Sequence, residues 1–395
     1  MSLNLFDASG CPLDRQRFTW KDLVQKPISK LDDDAFTRVR AILMNGIELD
    51  SLRVKQLMLR MNGELRVPLA HLMRVEQEQA TLINWLISAD HSPLETTIAH
   101  EQAAIEVTAC AAQLEPQPYL AQAYRHALLE DFDHLYRFSA LLDRLEGKDA
   151  NNITQGYTDI APARPTTEHH RSPENDLIEP YGPDAALATK LHALTLTGAK
   201  CEAHAYYMTI GPCFADPLAR QLYAEVASVE SQHITHYGSM INPNETVVEK
   251  MLLAEVAEVW NYQACLEQES NPRIRAIWER FLDYEMGHLQ VVLHLFKDIE
   301  QRDPAELLGN GRLPPRIQFA SPRDFVRRVV AAETSLRKDG TEFVSEEAEA
   351  ASSIAWREHV NSEGSPSTAV SGGWHWTPGT ELNHATEGKV EPTPV

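Results

Sequence analysis

The chain has 395 residues, with 36 Lys+Arg against 57 Asp+Glu, a formal charge of −21. So acidic a field repels phosphate backbones and no basic run offsets it, which speaks against nucleic-acid binding. No stretch approaches the roughly 18–20 apolar residues of a membrane helix, there is no leader-like N-terminus, and the five scattered cysteines form no CxxC pair, so the expectation is a reduced, cytoplasmic chain without a membrane span.

Residues 1–32 are polar and irregular and read as an N-terminal extension. Over 33–147 apolar residues recur at three- and four-residue steps, as in Ile42, Leu43, Ile47 and Leu52, the period of helices with one buried face. Turn clusters at 61–63, 89–93 and 115–118 divide this stretch into four helices. Residues 148–184, rich in Pro, Asn, Thr and charge, predict a linker in which His169 and His170 are solvated. Helical periodicity returns over 185–301, again as four helices, with breaks near 211–212, 242–244 and 270–272. Residues 302–395 predict a mostly flexible extension with one helix near 322–337; beyond 338 only Trp374-His375-Trp376 could dock. The fold class expected is all-α: two tandem four-helix bundles, a linker between them and a largely disordered C-terminal tail.

A shift of 154 residues lays one helical segment on the other without a gap. Glu48 falls on Glu202, Glu76 on Glu230, Glu101 on Glu255, Asp131 on Glu285 and His134 on His288. General identity is low, but the matches gather on mid-helix acids and a histidine, which points to a tandem duplication.

The second segment reads Glu202; Glu230-x-x-His233; Glu255; Glu285-x-x-His288, one element per helix. Residues at i and i+3 share a helix face, and apolar neighbours such as Val229 and Leu289 turn those faces inward. Burying several carboxylates and two imidazoles is costly unless cations compensate. A carboxylate-rich donor set with one imidazole per metal suits iron or manganese better than zinc. This pattern resembles the ferritin-like di-metal carboxylate superfamily, which includes rubrerythrins, manganese catalases and di-iron oxygenases. Glu255-Val-Ala-Glu258 is similar to the doubled Glu on the third helix of rubrerythrins. The resemblance implies a ferritin-like bundle binding two iron ions, alternatively manganese, through Glu202, Glu230, His233, Glu255, Glu258, Glu285 and His288. One feature departs from the family: His233 and Glu255 are only 22 residues apart, too few for a crossover along a bundle, so an up-down-up-down path is expected.

In the first segment Gln79 stands where His233 stands, and Asp131 where Glu285 stands. This half therefore reads as a degenerate structural paralogue, with Glu106 and Glu130 as solvated residues. In the second half Glu230 and Glu285 are expected to bridge the metals, with Glu202 and Glu255 at the ends. Tyr206 and Tyr262, at i+4 from Glu202 and i+7 from Glu255, are expected to face the metals and complete the catalytic set. His204 and His236 are expected as orienting neighbours or packed histidines. The function expected is an oxidoreductase activating O₂ or peroxide, with a small-molecule substrate or oxidant as partner and a homo-oligomer as an option. The alternatives are a helical scaffold or partner-binding protein with a vestigial metal site, and iron storage or sequestration.

Overall fold

A computed structural model describes residues 3–7 and 9–381. Eight long helices carry the fold: α1 (Ala35–Met61), α2 (Arg66–Asn84), α3 (Pro93–Leu114), α4 (Pro118–Glu146), α5 (Leu187–Ile210), α6 (Pro217–Ser239), α7 (Val247–Gln268) and α8 (Pro272–Glu300). Their ends follow local chemistry. Ser92 and Glu95 form a reciprocal capping box at the start of α3, and Thr246 and Glu249 form its counterpart at α7. Pro118 and Pro272 open α4 and α8, where a missing N–H is harmless. Adding 154 to the bounds of α3 and α4 gives the bounds of α7 and α8.

Consecutive helices pair as hairpins, α1 with α2, α3 with α4, α5 with α6 and α7 with α8. The hairpins meet through α1 and α5, each of which also packs against α3 and α7. The two central helices touch at Gly46 and Gly198, where a Cβ on Gly46 would stand 2.9 Å from the Gly198 carbonyl oxygen. Only glycine allows that approach.

Residues 148–186 are irregular but buried in large part. Arg164, Thr166 and His169 are each at most 1% exposed. Arg164 donates to the His126 carbonyl, Asp133 accepts from the Thr166 amide, and Gln232 donates to the His169 carbonyl, so the segment is laced to α4 and α6. His169 and His170, expected in solvent, lie inside. Past α8 come α9 (Arg323–Glu333), a hairpin of β1 (Leu336–Asp339) and β2 (Glu342–Ser345), α10 (Ala351–Val360) and α11 (Pro366–Ser371). Trp374 and Trp376 dock through their indole N–H groups on Asp143 and Asp149. The flexible extension expected from 338 onward is thus folded chain up to 381, and its remainder lies outside the described residues. Among the described residues no helix is long and apolar enough to cross a membrane.

Candidate metal centres

Each half of the chain would need its own four helices to build its own site. The structure instead draws two buried clusters from both halves. The first takes Glu48 from α1, Glu76 and Gln79 from α2, Glu255 and Glu258 from α7, and Glu285 and His288 from α8, all 0% exposed. Donor atoms of Glu76, Glu255 and His288 lie within 4.8 Å of one another, as do those of Glu255, Glu258 and Glu285, so Glu255 is common to two triplets. Gln79 donates to Glu285 (2.6 Å) and to Glu48 (3.3 Å). The second cluster takes Glu101 from α3, Asp131 and His134 from α4, and Glu230 and His233 from α6.

The seven residues expected to form one site are therefore divided. Glu255, Glu258, Glu285 and His288 meet in the first cluster and Glu230 and His233 in the second, while Glu202 joins neither. The connections that follow α2 and α6 are short, residues 85–92 and 240–246. They rule out a crossover along one bundle, and of the two arrangements they still allow, the chain adopts the one in which each half passes its second hairpin to the first hairpin of the other half. The up-down-up-down site expected within 185–301 is replaced by this exchange.

Helical phase explains Glu202 and Tyr206. The cluster-facing stripe of α5 runs through Leu196, Lys200, Ala203 and Tyr207, all at most 5% exposed. Glu202 is two residues from Lys200 and so points elsewhere. It accepts from Asn45 Nδ2 at 2.8 Å. Tyr206 stacks on His100 at 4.4 Å and donates to the Pro93 carbonyl. Its neighbour Tyr207 instead donates to Glu101 at 2.6 Å. Tyr262 does reach the first cluster, donating to Glu48. His236 bonds the Asp176 and Ala123 carbonyls, away from both clusters.

Each cluster holds one buried lysine that the sequence reading passed over. Lys55 pairs with Glu76 and, at 2.7 Å, with Glu255; Lys200 pairs with Asp131 and, at 3.1 Å, with Glu230. Lys55 was legible in principle, lying seven residues from Glu48 on the stripe that buries Ser51 and Met58. One ammonium against five carboxylates leaves the first cluster over-acidic. Burial accordingly pushes Glu48 and Glu258 well above the carboxylate range and Glu255 up to about 7. For Glu285 burial acts in the same direction, but His288 beside it, together with Lys55 and Glu258, outweighs that and holds it at about 2.

The imidazoles share one arrangement. Gln16 Nε2 donates to the Cys11 and Tyr284 carbonyls, which turns its oxygen to His288 Nε2 at 2.6 Å. His169 Nε2 bonds the Arg164 carbonyl, so its Nδ1 accepts from His134 Nε2 at 3.1 Å. Glu130, held ionised by Arg171 and Arg164 despite burial, meets His233 Nε2 at 2.6 Å. In all three the outer nitrogen is engaged and Nδ1 faces the acids. His134 and His233 Nδ1 approach the acids no nearer than 3.5 Å and make no hydrogen bond, and of the Glu255 oxygens Oε1 meets only the Lys55 ammonium, at 2.7 Å. Orphaned inward donors of this kind fit a divalent cation. Glu130, expected in solvent, is fully buried.

No family, curated protein or solved structure matches the chain. Shown directly are a mostly helical protein and its buried carboxylate–histidine clusters, groups able to bind metal ions.

Proposed function

We propose that both clusters bind divalent cations, iron or alternatively manganese, and that the chain is a ferritin-like redox enzyme arising from a tandem duplication. The observation that carries this reading is the common pose of His134, His233 and His288, outer nitrogen engaged and Nδ1 turned inward, the arrangement by which neighbouring groups orient metal-bound imidazoles. In the first cluster Glu255, shared by both triplets, would hold metal together with Glu76 and His288 on the one hand and with Glu258 and Glu285 on the other. Bound metals would supply a Lewis-acidic, redox-active site for dioxygen or peroxide. The chain's own residues manage protons: burial raises the pKa of Glu48, which accepts from the Tyr262 hydroxyl, and Glu258, raised likewise, would give up its proton on binding metal.

The buried lysines favour a second reading, a non-catalytic scaffold in which Lys55 and Lys200 balance the acids permanently. Metal analysis of the full chain after anaerobic loading with Fe(II) or Mn(II) separates the two. The enzyme reading expects His288→Ala to lose the metal of the first cluster alone and His134→Ala that of the second alone, with oxidant consumption lost in His288→Ala. A wild-type chain that retains neither metal sinks it. Because the acids and imidazoles must release protons on binding, affinity is expected to rise with pH through about 7.

A further inference from the structure

Beside their contact at Gly46 and Gly198, α1 and α5 line a cavity of about 570 Å³ together with α7 and the end of α6. That volume is in the range that holds small-molecule ligands. Its walls are mainly aliphatic, with Ile47 and Val54 from α1, Leu194 from α5, Ile234 from α6, and Leu253 and Ala254 from α7. One member of the first cluster lines it as well: Glu258. Glu258 is fully buried, no donor is bonded to either of its oxygens, and its nearest cation, Lys55, is 3.7 Å away. The cavity thus ends on the acidic cluster.

No cation at the wall is free for a ligand to meet. Asp50 has Arg53 beside it, Glu258 has Lys55, and Glu245 lies between Lys190 at 3.6 Å and Lys250 at 3.7 Å. Lys250 is further occupied by the carbonyls of Asn242 and Glu245. A carboxylate entering here would be desolvated without a free cation to meet it, and an ammonium would find only Glu258, which a metal-loaded cluster would already engage, so either is unfavourable, whereas an aliphatic chain replaces water at apolar walls.

The other half shows that the cavity is specific to one cluster. At the 154-residue offset, Glu258 corresponds to Ala104 and Ala254 to His100. The His100 ring is stacked on Tyr206, and Glu202 and Asn45 pack beside them, so side chains fill the matching place. We propose that the cavity binds an uncharged, predominantly aliphatic small molecule and presents it to the first cluster at Glu258. This assigns a substrate class to the first cluster, and for the presentation step it rests on the metal reading given above.

The test is titration calorimetry of the Mn(II)-loaded full chain with 1-decanol, decanoate and decylamine, together with proton NMR of decanol. Decanol is expected to bind one per chain, with both charged analogues weaker by about tenfold or more. Mn(II) is expected to broaden decanol resonances, and a Zn(II)-loaded control is not. Ala254→Phe and Val54→Trp fill the cavity from opposite walls, and each is expected to weaken decanol by about tenfold or more with metal content unchanged. No decanol binding by the wild type, equal binding of decanoate, or wild-type affinity in both variants overturns the ligand assignment. Decanol binding without Mn(II) broadening overturns the presentation to Glu258. A wild type that binds no metal yet binds decanol in the variant-dependent way overturns the metal reading and leaves the ligand class standing.

Discussion

Glu106 lies on α3 outside both clusters, buried, with Thr158 Oγ1 donating to one carboxylate oxygen at 2.6 Å and none bonded to the other. Burial raises its pKa from 4.5 to about 8. A carboxyl raised in the folded state contributes stability that is fully present below about pH 4.5 and is lost as pH rises through about 8. Glu106→Gln keeps the acceptor for Thr158 and removes the ionisation. The variant is expected to gain about 2 kcal/mol relative to wild type between pH 6 and pH 8, read as a shift in urea midpoint at the two pH values. An unchanged difference would mean that Glu106 is ionised throughout. Sequence alone placed this residue on a solvated face, as it did Glu130 and the two linker histidines. Periodicity marks a position as facing in or out of its own helix, but α3 is packed nearly all round, so its polar residues carry no outward signal. Lys200 was passed over for the same reason, since a long basic side chain ordinarily reaches water.

At the scale of elements, the N-terminal segment is a structural part of the first cluster. A Cβ on Gly287 of α8 would stand 2.0 Å from the Cys11 carbonyl oxygen, and one on Gly10 2.3 Å from the Gly287 amide. Two glycines thus let the chain lie flat on α8 and bring Gln16 to His288. Gly287→Ala is expected to lift this segment, costing about 1–3 kcal/mol. Metal affinity at the first cluster is expected to fall by about 10–100-fold through loss of the Gln16 contact. Limited proteolysis within residues 10–18 and a chelator competition report the two effects. Proteolysis and affinity both at wild-type levels would show that Gln16 does not orient His288. The eight helices and their turns were legible, because caps such as Ser92-x-x-Glu95 and breaks such as Asn271-Pro272 are written locally. The polar segment ahead of α1 carries no periodicity, and nothing in it announces that Gln16 is buried.

At the scale of the molecule, the acids and histidines were legible as residues and the two clusters were not. The 154-residue register lays Glu76 on Glu230 and His134 on His288, and the structure puts one member of each pair in each cluster. An apolar stripe records that a helix is covered, not which helix covers it. Short connections after α2 and α6 suit a self-contained half and an exchanged one alike, and the choice between them shows only in three dimensions. The exchange predicts that residues 185–301 expressed alone bind no metal at stoichiometric level, because His233 lacks Glu101 and His134 while His288 lacks Glu76. Co-expression with residues 1–184 is expected to restore binding. Metal content of the two preparations checks this, and a metal-loaded 185–301 fragment would overturn the exchange.

A chain of half this length could assemble the same pair of clusters only as a two-fold dimer that trades hairpins, with both centres identical by symmetry. Joining the halves through 148–186 makes the encounter intramolecular and independent of protein concentration. It also releases each centre from its twin. One centre has Gln79 and an open cavity at Glu258, and the other has Asp131 and a place filled by His100 and Tyr206. A single chain therefore permits two unlike clusters, which no symmetric pair of identical chains can encode.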